Sequence, residues 1–203
     1  MSHACLKPHI VSGVNDSQLW FHRADDLASH GGRGGEAERL LRDAIAAGHR
    51  PALVRLAEFL WHESGRDWQD VIMEVEELLS RAVDDDVPGA ANAFGNVLAD
   101  IEEDHRAEAM FRRALADGDP AAATNLAFML HGRGADMAAY DVLVSAARNG
   151  DDLAYQILGH NIDPAEPVWT EITDAWSAAR SRDEPPSLFC YLRGSWDLDL
   201  TAG

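Results

Sequence analysis

Cysteine and positive charge are both scarce in this chain of 203 residues. The two cysteines, Cys5 and Cys190, lie near opposite ends and neither belongs to a CxxC pair, so the sequence offers no disulfide framework and no zinc knuckle. Lysine and arginine number 17 against 35 acidic residues, a formal net charge of −18. This charge repels phosphate backbones and anionic lipid, so we expect neither nucleic acid nor a membrane as partner. A neutral or basic protein or peptide fits better.

Long apolar runs are also missing. No stretch approaches the length of a membrane span, and the first residues lack the apolar core of a signal peptide, so we expect a cytoplasmic protein. Hydrophobic residues nevertheless make up 46% of the chain and charged residues 26%. This composition predicts a globular protein with a real core.

Two sequence patterns recur with the same spacing. The first occurs in four segments: EAERLLRDAIAAG (36–48), EVEELLSRAVDDD (74–86), RAEAMFRRALADG (106–118) and MAAYDVLVSAARNG (137–150). Each segment has an alanine before a short polar break: Ala44, Ala82, Ala114 and Ala146. The second and third intervals between these alanines are equal, and we call this spacing the repeat interval; the first is longer. A second pattern follows each break, with small residues at the same spacings: Ala57, Gly95, Ala127 and Gly159. Such self-similarity is typical of repeat proteins.

Both patterns predict helices. Apolar residues recur at three- and four-residue steps, which places them on one helical stripe. Prolines at 51, 88 and 120 fit the first turn of a helix, and glycines at 48, 118 and 150 fit its left-handed end. A single helix pair is too small to bury its apolar face, so each pair must stack on the next.

These repeats resemble tetratricopeptide repeats (TPR) and their Sel-like relatives. The residues that carry the resemblance are a Leu-Gly-like step in the first helix and an alanine, a large apolar residue and an alanine in the second. In the third repeat they are Phe94, Gly95 and Leu98, then Ala107, Phe111 and Ala114. The resemblance implies an all-α fold, a right-handed α-solenoid of about four helix–turn–helix repeats with a capping helix and a C-terminal helical extension.

The expected organisation has three parts. Residues 1–16 form a flexible N-terminal arm, 17–162 the repeat domain, and 163–203 a helix and an apolar tail that pack on the repeats. The second repeat is stretched, and we expect its additional residues in the loop near ESGRDWQDVI.

The resemblance also implies a function, which is to bind a protein or peptide partner as an adaptor, chaperone or regulator. In such solenoids the first helices of the repeats line the concave face. The residues expected there are rich in amide and imidazole groups, which suit an extended peptide backbone. They are Arg55, Glu58, His62, Asn92, Asn96, Thr124, Asn125, Phe128, His131, Gln156 and His160. The lysines with which some family members clamp a partner's C-terminal carboxylate are absent from this set.

Two alternatives stay open. One is a biosynthetic enzyme or enzyme accessory that uses the solenoid pocket for a small substrate, with His131, His160, His62 and Glu58 as acid–base groups. No catalytic motif, cofactor-binding motif or metal-ligand spacing supports it, so we expect no enzyme, cofactor or metal. The other is a homodimer that forms through the apolar C-terminal segment.

Overall fold

The computed structural model describes residues 16–29, 34–163 and 165–180, and all regular secondary structure in these ranges is helical. The predicted all-α fold class is therefore confirmed. The chain divides into two compact units, Met1–Val87 and Pro88–Gly203. Most of the expected N-terminal arm and the apolar tail beyond residue 180 lie outside the described residues. None of the described helices has the length and apolar character that a bilayer crossing requires.

The first unit contains four helices. They are α1 (Asp16–Ser29), α2 (Gly34–Ala46), α3 (Pro51–Glu58), which continues as a π-helix over Phe59–Glu63, and α4 (Trp68–Asp84). Consecutive helices pack on each other, α1 on α2, α2 on α3 and α3 on α4. Leucines and valines that are almost fully buried form the core between them: Leu41, Leu53, Leu56, Leu60, Val71 and Leu79. Pro51 begins α3, as expected.

The stretched second repeat differs from the expectation. Only a short loop, 64–67, separates the π-helix from α4. The additional residues lie mainly within helices, because the π-helix extends α3 and because α4 has 17 residues against 13 in α6 and in α8. The side chain of Asp67 caps α4 by accepting a hydrogen bond from the amide of Gln69. Phe59 and Leu60 are buried, which explains why helical structure continues through this segment.

The second unit contains six helices: α5 (Ala90–Asp100), α6 (Asp104–Ala116), α7 (Ala122–Gly132), α8 (Asp136–Arg148), α9 (Asp152–Asn161) and α10 (Pro167–Arg180). Helix α7 contacts α5, α6, α8 and α9, so it occupies the middle of the unit. Pro88 and Pro120 lie just before α5 and α7 rather than in their first turns. The largest side chains that are less than 2% exposed are Leu98, Phe111, Leu126, Leu143, Leu158 and Ile172.

The four alanines that precede the polar breaks of the first pattern, here called the signature alanines, have a structural role at the helix ends. The carbonyls of Ala44, Ala82, Ala114 and Ala146 each accept a hydrogen bond from a backbone amide just beyond the helix, those of His49, Val87, Asp119 and Asp151, at 2.9 to 3.1 Å. The residue before each donor has a left-handed backbone, with φ of 86° at Gly48, 50° at Asp86, 80° at Gly118 and 96° at Gly150. Helices α2, α4, α6 and α8 therefore end in the same closure at the spacing of the signature alanines, and α5 and α7 end in it as well, with Glu102 and Gly134 as the left-handed residues.

The Leu-Gly-like step allows a close approach of two helices. A Cβ atom added at Gly95 of α5 would lie 2.6 Å from the ring of Phe111 on α6. Phe111 is 1% exposed and fills the space that the missing side chain leaves. The glycine is thus required by the aromatic residue that packs against it.

Helix α10 packs on α8 and α9. The ring of Tyr155 on α9 stacks between Trp169 and Trp176 of α10, at centroid distances of 4.8 and 4.2 Å. The indole Nε1 of Trp176 donates to Oδ1 of Asp152 at 3.1 Å, and Arg180 forms an ion pair with the same carboxylate. These contacts fix α10 on α9 through aromatic stacking and polar bonds.

Candidate binding surfaces

Three helices of the second unit carry almost no charge. Helices α5, α7 and α9 contain no lysine or arginine, and their only acidic residues are Asp100 at the last position of α5 and Asp152 at the first position of α9. Helix α6, by contrast, carries two acidic residues and three arginines in 13 residues. Because the chain as a whole has a net charge of −18, the surface that these three helices form differs from the rest of the protein in being almost uncharged.

The surface is defined by residues at equivalent positions of α5, α7 and α9. Because α7 contacts both α5 and α9, residues at the same register of the three helices lie on one side of the unit. Asn96, Phe128 and His160 follow each other at the repeat interval, and all three are exposed. We call this surface the α5–α7–α9 face, and its members are Asn92, Asn96, Asn125, Phe128, Gln156 and His160. All of them belong to the set selected from the sequence.

Two asparagines of the face pair with each other. The Nδ2 group of Asn125 on α7 donates to Oδ1 of Asn92 on α5 at 2.9 Å, and both residues are half-buried. The bond orients both amides and uses one donor and one acceptor. The amide nitrogen of Asn92 and the amide oxygen of Asn125 retain hydrogen-bonding capacity. One amide donor and one amide acceptor, on two helices that this bond joins, correspond to the two groups of a peptide bond.

The exposed centre of the face is aromatic. Phe128 is 36% exposed, and the exposed side chains of Asn96 and His160 occupy the equivalent positions of the adjacent helices. His160 Nδ1 lies 2.7 Å from the carbonyl oxygen of Gln156. Because a carbonyl can only accept, Nδ1 carries the proton of the neutral ring and Nε2 is the acceptor. The face thus combines an apolar centre with amide and imidazole groups.

Thr124 does not belong to this surface, and the expectation that it is exposed is wrong. The residue is 1% exposed, and its hydroxyl has no hydrogen-bond partner. Thr124 stands one repeat interval after Asn92, and Ile157 stands one repeat interval after Asn125. At the position where α5 and α7 have two amides, α7 and α9 therefore have a hydroxyl and an apolar side chain. This explains the unsatisfied hydroxyl.

His131 is half-buried and joins two helices. Its Nδ1 lies 2.6 Å from Oδ1 of Asp136, the first residue of α8. The pair spans the turn between α7 and α8. Asp136 was not among the residues selected from the sequence, although its position just across a short turn from His131 is the signal that could have identified it.

Arg55 in the first unit is occupied by internal ion pairs. Its guanidinium contacts Glu63 at 2.6 and 3.2 Å and Asp25 at 2.8 Å, and its side chain is 15% exposed. Burial opposes the charged form, but the hydrogen bonds to Glu63 and Asp25 outweigh it and raise the pKa of Arg55 above its ordinary value. Sequence reasoning missed both partners, because Asp25 belongs to α1 and Glu63 belongs to the π-helix.

Glu58 and His62 of the same unit are exposed. Although Glu58 is exposed as a residue, partial desolvation of its carboxyl raises its pKa above the ordinary value of 4.5, and the carboxylates of Glu63 and Asp25 add to this. Arg55 and His62 act in the opposite direction. The first unit therefore presents an acidic set of residues, whereas the α5–α7–α9 face of the second unit is neutral.

Within the described residues, no three histidine, cysteine, aspartate or glutamate side chains are grouped in a way that could hold a metal ion. Comparison of the chain with models of known protein families, with characterised proteins and with solved structures finds no match.

Proposed function

We propose that this chain is a TPR/Sel-like α-solenoid that acts as a cytoplasmic interaction module and binds an extended peptide segment of a partner protein. The observation that carries the proposal is the α5–α7–α9 face, where a hydrogen-bonded amide pair and an exposed aromatic ring lie on helices without lysine or arginine. These are the groups that hold a peptide backbone and one apolar side chain.

The helix ends support the solenoid part of the proposal. Six of the described helices close with a left-handed residue, followed by a backbone amide that donates to the carbonyl five residues earlier, and consecutive helices pack on each other within each unit. Repeated local geometry of this kind is what stacked helix pairs require. The close contact of Gly95 with Phe111 supports the TPR/Sel-like pattern at the residues that define it.

The charge distribution supports the choice of partner. In the first unit, the three carboxyls of Glu58, Glu63 and Asp25 interact with a single guanidinium, that of Arg55, and this excess of negative charge favours a basic side chain. The second unit offers a neutral face to the peptide itself. We therefore expect a partner in which a basic segment binds the first unit and a neutral segment binds the second.

The test compares affinity purifications from the native host. Wild-type protein is compared with the triple variant Asn92→Ala, Asn96→Ala and Asn125→Ala, and with a control that carries three replacements at exposed positions of α6 and α8, namely His105→Ala, Asp141→Ala and Ser145→Ala. We expect a partner that the wild type and the control retain and the triple variant loses. Equal recovery with all three proteins would show that the three asparagines of the face do not contribute to binding.

One observation favours the enzymatic alternative, namely the His131–Asp136 pair, since a carboxylate that orients a histidine is a common arrangement for a general base. A small molecule that co-purifies with the protein and is converted by it, with conversion lost in His131→Gln, would favour this alternative. Binding without conversion is the outcome that the interaction module predicts.

A further inference from the structure

The composition of the α5–α7–α9 face restricts the kind of ligand that can bind there. Its exposed centre is Phe128, and its helices provide no lysine or arginine for an acidic ligand and only terminal carboxylates for a basic one. A ligand of strong charge would lose hydration there without gaining a partner. The occupant that this surface favours is an uncharged segment with large apolar side chains.

The chain itself contains such a segment. Residues 187–192 read SLFCYL and include no charged residue, while most of them are large and apolar. The segments on both sides are charged, with Arg182, Asp183 and Glu184 before it and Arg193 after it. The run is therefore matched to the face in charge and in apolar character.

The chain between α10 and this segment is long enough for the segment to reach the α5–α7–α9 face. The last described residue is Arg180, whose guanidinium pairs with Asp152 at the start of α9. Residues 181–186 can bridge at most about 20 Å, which exceeds the length of about 15 Å expected for a helix of the size of α9. The segment 187–192 can itself span about 20 Å, the distance across three adjacent helices at about 10 Å each between axes.

We propose that residues 187–192 dock on the α5–α7–α9 face of the same molecule, with their apolar side chains over Phe128, so that the chain covers its own binding surface until a partner displaces the segment. The inference rests on the proposed function, because it takes the same face to bind peptides. It adds a competing internal ligand to that function and makes binding of an external peptide depend on its ability to displace that ligand.

The native Cys190 lies within the segment and allows a direct test by disulfide trapping. In full-length protein with Cys5→Ser, a second cysteine is placed on the face by Gln156→Cys or by Asn96→Cys. Matched controls carry His105→Cys or Asp141→Cys at exposed positions of α6 and α8. Each protein is oxidised at low micromolar concentration, and the rate and the type of disulfide are read from non-reducing gels and peptide mass spectrometry. A disulfide requires Cα atoms within about 7 Å.

The expected result is an intramolecular disulfide that forms about tenfold faster from at least one face position than from either control, because docking raises the effective concentration of Cys190 there. The additional replacement of Leu188 and Phe189 by aspartate should remove this advantage, and so should denaturation in urea. Thermal melting of each variant shows that it is folded.

Equal rates at the face and control positions would overturn the proposal, and so would disulfides that form only between molecules, which would assign the face to a second copy. Failure here is distinct from failure of the proposed function. If no trapping occurs but the triple asparagine variant still loses its partner, the face binds peptides and only the internal ligand is wrong.

Discussion

The amide of Asn125 donates a hydrogen bond of 2.9 Å to the amide oxygen of Asn92, and this bond joins helices α7 and α5 across a half-buried surface. The pair is both a structural link and the best-defined group of donors and acceptors on the α5–α7–α9 face. The two roles are measured separately, because urea denaturation reports the structural link and recovery of a partner reports binding.

The first prediction concerns this link. Asn92→Ala and Asn125→Ala should each lower the free energy of unfolding by about 1 kcal/mol, because each removes a partially buried hydrogen bond. The double variant should lose less than the sum of the two, since the second replacement removes no further bond. Urea denaturation of the four proteins measures this coupling. Strict additivity would show that the bond contributes nothing in solution.

The second prediction concerns the buried hydroxyl of Thr124. Thr124→Val keeps the side-chain shape and removes a hydroxyl that has no partner, so the free energy of unfolding should rise by about 1 kcal/mol. Thr173→Val is the matched control, because its hydroxyl lies 3.4 Å from the hydroxyl of Tyr155 and the replacement should not stabilise. Chemical denaturation of both variants provides the comparison. A loss of stability in Thr124→Val would mean that the hydroxyl has a hydrogen-bond partner in solution.

The third prediction concerns the contact of α5 with α6. Gly95→Ala places a methyl group 2.6 Å from the Phe111 ring, so the variant should lose about 1 to 3 kcal/mol through overpacking. Gly132→Ala, where nothing lies within 4 Å of the added methyl group, should be neutral or slightly stabilising. Thermal and urea unfolding of the two variants test the difference. Equal stabilities would contradict the close approach of the helices.

The fourth prediction concerns pH. The folded protein raises the pKa of Glu58 by desolvation, so ionisation of this carboxyl disfavours the folded state. This penalty is present at pH values above the raised pKa and disappears as the pH falls below the ordinary value of 4.5. Glu58→Gln should therefore be more stable than wild type at pH 7, and the difference should shrink towards pH 4. Glu77→Gln on the exposed side of α4 is the control, and a gap independent of pH would contradict the assignment.

Local patterns predicted much of the fold. The helices around the signature alanines, the left-handed residues at Gly48, Gly118 and Gly150, and the start of α3 at Pro51 all follow from the identity of a few neighbouring residues. Gly95 and Phe111 were also recognised from the sequence as residues that carry the family resemblance. Only the structure shows that the ring of Phe111 fills the space beside Gly95. These features depend mainly on interactions within one or two helical turns.

The candidate site was only partly predictable. The sequence analysis placed both Thr124 and Asn125 on the concave face. Thr124 is buried, because the packing of the neighbouring helices on α7 decides which of two consecutive residues reaches solvent. Likewise, the charge of Arg55 was predictable, while its pairing with Asp25 of α1 was not. A step of one residue rotates a side chain by about 100°, so small errors in register change exposure completely.

The sequence by itself therefore determined the helices, their ends, the repeat spacing and the near-absence of charge from α5, α7 and α9. Only the tertiary structure decided that Asn92 meets Asn125, that Tyr155 stacks between two tryptophans of α10, and that the additional residues of the second repeat form a π-helix and a longer α4. The physical reason is the range of the interactions. Helix formation and termination depend on neighbours in sequence, whereas burial and pairing depend on which helices come into contact.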